Sequence, residues 1–66
     1  MFYSTVSFED GTREMMEFRM LKPAKSYTGW AFNNKPNVTS VLVTDNSTGL
    51  VKLWLDKKTG ERISTR

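Results

Sequence analysis

The chain has 66 residues, neither cysteine nor histidine, and a net charge of +3. That length allows one small domain; without Cys or His it lacks a disulfide framework and the usual zinc ligands, so self-association is the reinforcement left to a small core. The commonest proton shuttle and the best side-chain nucleophile are missing too, so no enzymatic activity is expected.

No metal is expected without those ligands, and no cofactor either, since the four glycines, at 11, 29, 49 and 60, are isolated and form no phosphate-cradling loop. No stretch approaches the roughly 18 apolar residues of a membrane span. The opening at Met1 has no charged segment leading into an apolar one. The chain is therefore read as a complete, soluble, cytoplasmic protein. Its charge is uneven: residues 1–18 carry −3, residues 19–36 carry +4 and residues 37–66 carry +2. The middle and the C-terminal end are basic.

In chain order, "FYSTVSF" alternates as a strand does, with Phe2, Val6 and Phe8 on one side. Asp10-Gly11 marks a turn, and "REMMEFRML" read as a second strand puts Met16, Phe18 and Met20 on one side. A hairpin with one extra bulged residue keeps the apolar face together by pairing Val6 with Met16, Ser4 with Phe18 and Phe2 with Met20, and Glu9 with Arg13. A helix over 12–21, stopped by Pro23, competes with that strand because Arg, Glu, Met and Leu are good helix formers. Its apolar residues would fall all around the helix. Between Pro23 and Pro36, "SYTGWAF" is read as one short strand, Trp30 and Phe32 on one face and Tyr27 on the other.

The pattern D-x-x-T-G then occurs twice, at Asp45–Gly49 and Asp56–Gly60. The carboxylate of Asp accepts backbone N–H bonds two or three residues on, and Gly supplies a positive φ, so both read as hairpin turns. A calcium loop would need several carboxylates, and each repeat has one Asp. Five-residue loops pair Thr44 with Leu50 and Leu55 with Glu61, collecting Val41, Val43, Val51, Leu53 and Ile63 on one face of a three-stranded meander. The fold class that follows is all-β, or β-rich with one short helix: a five- to six-stranded antiparallel barrel or sandwich made of an N-terminal hairpin and a C-terminal meander.

Two candidate binding surfaces emerge. "LVKLWL" is apolar on both faces, so Leu42, Leu50 and Trp54 point outward with Lys52, and the assumed register sets Trp54 beside Arg62. An exposed patch of this kind marks an interface, with Lys52, Lys57 and Arg62 as a basic rim suited to an acidic protein partner. A second copy of the chain is the other partner this patch would fit. The alternative is nucleic acid: Lys22, Lys25 and Lys35 surround Tyr27, Trp30 and Phe32, combining charge for phosphates with flat faces for bases. Lys57, Lys58, Arg62 and Arg66 would extend that site. Burial of Trp30 and Phe32 in the core is the competing fate.

Overall fold

A computed structural model describes residues 1–65. Five strands form one antiparallel sheet: β1 (Phe2–Phe8), β2 (Arg13–Phe18), β3 (Val38–Asp45), β4 (Val51–Asp56) and β5 (Arg62–Ser64), in the order β2-β1-β3-β4-β5. One helix, α1 (Leu21–Asn34), carries the chain from β2 across one face to β3, on the far side of β1. The sheet is not closed into a barrel, and the second layer is this helix.

The N-terminal hairpin turns through Glu9, Asp10 and Gly11, with Gly11 at φ 88°. The Phe8 N–H donates to the Thr12 carbonyl at 2.9 Å and the Gly11 N–H to the Phe8 carbonyl at 3.0 Å, so the glycine is the bulged residue. The strand expected over 13–21 forms but stops at Phe18, before α1 begins at Leu21, and in it Val6 faces Glu14, Ser4 faces Met16 and Phe2 faces Phe18. The expected register was two residues too long. An even slip preserves the faces, so Phe2, Val6, Met16 and Phe18 still share one side.

"SYTGWAF" is not a strand. It lies in α1, whose core-facing residues Ala24, Thr28 and Ala31 are all buried at i, i+4 and i+7. Pro23 sits within the first turn, before the first intrahelical donor, the Ala24 N–H, which reaches the Met20 carbonyl. Its missing N–H therefore costs no hydrogen bond. At the other end the Lys35 N–H closes on the Ala31 carbonyl at 3.0 Å, Pro36 forbids continuation, and Asn37 turns the chain with φ 64°.

Small helix residues let α1 approach closely over Val6, Val38, Val41, Val43, Leu53 and Leu55, with Phe2, Phe8, Phe18, Leu21, Tyr27 and Phe32 packed around them. A buried polar pair crosses this interface. Thr28 Oγ1 donates to the Ala24 carbonyl at 2.6 Å, which uses its one proton, so Ser4 Oγ donates to Thr28 Oγ1 across 2.5 Å.

Both D-x-x-T-G repeats are turns of one design. Asp45 accepts from the Ser47 N–H and hydroxyl, and Asp56 from the Lys58 and Thr59 N–H groups. The glycine N–H returns to the aspartate carbonyl in each, at 2.7 and 3.0 Å, and Gly49 and Gly60 share φ 73°. The aspartate pairs with Leu50 or Glu61, one residue tighter than expected. In the β3–β4 hairpin a bulge between the Thr44–Val51 and Val43–Leu53 pairs restores parity. No bulge follows in β4–β5, so Trp54 faces Ile63 and Leu55 faces Arg62. Ile63 and Val51, both expected in the core, are exposed instead, as are Met16 and Met20 at the β2 side.

Candidate functional site

Strand pairing aligns Met15 with Thr5, Thr5 with Leu42, Leu42 with Trp54 and Trp54 with Ile63. Directly opposed residues of neighbouring strands point to the same face. These five positions alternate with the buried Ser4, Val6, Val41, Val43, Leu53 and Leu55, so they occupy the face that α1 leaves uncovered. The result is one transverse row, largely apolar, across all five strands. Leu42 and Trp54 are half-buried by their neighbours, while Met15 is 69% and Ile63 42% exposed at the ends.

Polar rows flank this stripe. Glu17, Tyr3 and Thr44 align on one side, in a row that ends in the exposed Val51, and Arg13, Ser7, Ser40 and Asp56 on the other. The Glu17 carboxylate beside Tyr3 holds the phenol above its usual range by hydrogen bonding and charge. An apolar stripe between polar margins has the layout of a protein interface, a dry centre with a hydrated rim.

The expected basic rim does not gather there. Arg62 faces Leu55, on the helix side, and lines a cleft of about 340 Å³ between α1 and the β4–β5 strands with Lys25, Phe32 and Leu53. The predicted Trp54–Arg62 contact is therefore replaced by Trp54–Ile63, because the second turn is one residue shorter than the assumed loop. Lys57 lies over the Phe32 ring, 5.1 Å from its centroid, again on the helix side. Leu50 ends the first turn and is 57% exposed, outside the row. Lys52 sits at the β4 bulge, where its charge helps hold the Asp45 carboxyl below its usual range, after the larger effect of the Ser47 hydrogen bonds. Of the six expected contact residues, Leu42 and Trp54 form the centre of the stripe. Met15 and Ile63 were missed, one placed by the edge strand and the other by a one-residue register change.

The basic and aromatic residues of the middle segment are dispersed by the helix. Lys25 donates to Ser64 Oγ at 2.9 Å and to the Thr65 carbonyl, tying α1 to the end of β5. Lys35 pairs with Glu14 of β2 at 2.6 Å, a contact that raises the lysine pKa. The two lysines thus serve opposite edges of the sheet. Tyr27 is half-buried between Phe18 and Trp30, with ring centroids 5.8 and 6.2 Å away, Trp30 is 54% exposed, and Lys22 is exposed in the first turn. Arg66 lies outside the described residues. Among those residues no helix is long and apolar enough to cross a membrane.

Compared with known protein families, curated proteins and solved structures, the chain matches none.

Proposed function

We propose that the protein is a non-enzymatic binding module that docks another protein on the uncovered face of its sheet. The observation that carries this reading is Trp54, set between Leu42 and Ile63 on a face the helix leaves bare. A tryptophan at the centre of an apolar stripe with polar margins is the residue type and position that dominate binding energy in interfaces. Arg13, Glu17 and Asp56 near the stripe carry mixed signs, so the reading no longer favours an acidic partner.

The test compares wild type with Trp54→Asp as bait, beside Lys22→Glu as a control on the helix side. A partner retained by wild type and Lys22→Glu and lost by Trp54→Asp is then purified and titrated in a Trp30→Phe background, where Trp54 is the single indole. Saturable change in Trp54 emission supports the reading. Retention by a folded Trp54→Asp variant sinks it.

The nucleic-acid alternative rests on Trp30 and Tyr27, adjacent aromatics on the helix, with Lys22 exposed in its first turn. Its signature is oligonucleotide anisotropy that collapses between about 50 and 200 mM salt and is lost in Trp30→Ala.

A further inference from the structure

We infer that two copies of this chain associate edge to edge through β2, in antiparallel register centred on Met15, making one continuous ten-stranded sheet. This goes beyond the docking reading above and stands independently of it.

β5 closes its side of the sheet with three residues, whereas β2 is a six-residue edge without proline or a bulge, its residues 13–17 all exposed. Phe8 and Thr12 form a hydrogen-bonded position of the hairpin. Bonded and non-bonded pairs alternate along an antiparallel ladder, so Glu14, Met16 and Phe18 direct their N–H and C=O groups toward β1. The backbone groups of Arg13, Met15 and Glu17 therefore face outward from the sheet. A second strand needs such a row of groups at every other residue.

Charge then selects the register. Along the uncovered face β2 reads Arg13, Met15, Glu17: a cation, an apolar residue, an anion. Turned antiparallel on itself about Met15, that series sets each Arg13 opposite the other copy's Glu17 and Met15 opposite Met15. All three outward-facing residues meet outward-facing partners. Centring instead on Met16 opposes Arg13 with Arg19, a like-charge clash, and leaves Glu17 against Met15. Opposite charges directly across strands stabilise a pair and like charges destabilise it.

The apolar stripe agrees with the same register. Met15 is its outermost residue on this side and the most exposed large apolar side chain, at 69%. Pairing Met15 with its mate joins the two stripes end to end. The row then runs Ile63, Trp54, Leu42, Thr5, Met15 and back through the second copy in reverse. The two-fold axis lies perpendicular to the sheet, so both helices stay on one side and both stripes on the other.

Sedimentation equilibrium of the full chain over micromolar to millimolar concentration reads the association directly. The expected species has twice the 7.6 kDa chain mass. Arg13→Glu and Glu17→Arg, each placing two like-charge pairs across the axis, should each weaken the dimer on the order of tenfold or more. The double variant Arg13→Glu/Glu17→Arg restores complementarity and should return the wild-type constant. Trp54→Asp, on the face and away from the edge, should leave the dimer intact. A monomeric wild type at millimolar concentration overturns the proposal, as does a double variant no tighter than the singles. Dissociation by a folded Trp54→Asp overturns it too, by showing that copies meet face to face.

Discussion

Ser4 and Thr28 are the buried polar residues among the described positions, and their pairing makes a sharp prediction. Thr28→Val keeps the shape and strands the Ser4 hydroxyl without an acceptor, which should cost about 1–3 kcal/mol. Ser4→Ala loses one hydrogen bond but leaves Thr28 bonded to Ala24, at about 0.5–1.5 kcal/mol. The double variant removes both polar groups and should be less destabilised than the two singles summed, a coupling that urea denaturation of all four proteins measures. Asp45 supplies a second residue-level test. The Ser47 N–H and hydroxyl hold its carboxyl below the usual range, so its contribution is complete above the unfolded value, near pH 3.9. It is lost as pH falls through the lower folded value. The stability gap between wild type and Asp45→Ala should therefore be constant from pH 7 to about 5 and shrink toward pH 2. A gap that widens in acid would reverse the sign assigned to Asp45.

At the scale of elements, the helix decides how the protein folds and explains why the sequence hides it. Pattern reading looks for large apolar residues on one stripe, whereas α1 presents Ala24, Thr28 and Ala31 to the sheet and its aromatics to the flanks. "SYTGWAF" thus alternates like a strand while its small residues keep helical spacing. Pro23 has the sequence signature of a helix stop, yet it precedes the first intrahelical donor, the Ala24 N–H, and so opens the helix instead. The hairpin and meander were legible because Gly11 and the two D-x-x-T-G turns carry their mechanism in the residues themselves. Registers were less so: one residue of loop length sent Ile63 outward and Arg62 to the helix side, where the β4 bulge had rescued the neighbouring hairpin. Gly29, mid-helix, serves neither turn nor close approach, since an added Cβ there meets nothing within 4 Å. Gly29→Ala should stabilise the protein by about 0.5–1 kcal/mol through helix propensity, seen as a higher denaturation midpoint with unchanged slope. Destabilisation would mean that α1 needs a flexibility at this position that its geometry does not reveal.

Across the whole molecule, a five-stranded sheet with one helix has a core on one side, and strand parity separates the core residues from those of the proposed docking face. Leu55 and Trp54 are chain neighbours that point to opposite faces. Leu55 is buried under α1 at 7% exposure, so Leu55→Ala opens a cavity among Val41, Phe32 and the cleft residues and should cost about 2–5 kcal/mol. Trp54→Thr puts a residue of good strand propensity on an uncovered face and loses two cross-strand pairs, to Leu42 and Ile63, at about 0.2–1 kcal/mol each. The smaller side chain should therefore be the more damaging one to truncate for folding, and Trp54 the more damaging for partner binding. Denaturation midpoints for the two variants, set beside partner titrations, give this crossing pattern directly. Equal destabilisation would place Trp54 under a second layer, such as another copy stacked on the face; that would remove the stripe as a docking surface while leaving the charge pairing at the β2 edge to be judged by its own variants.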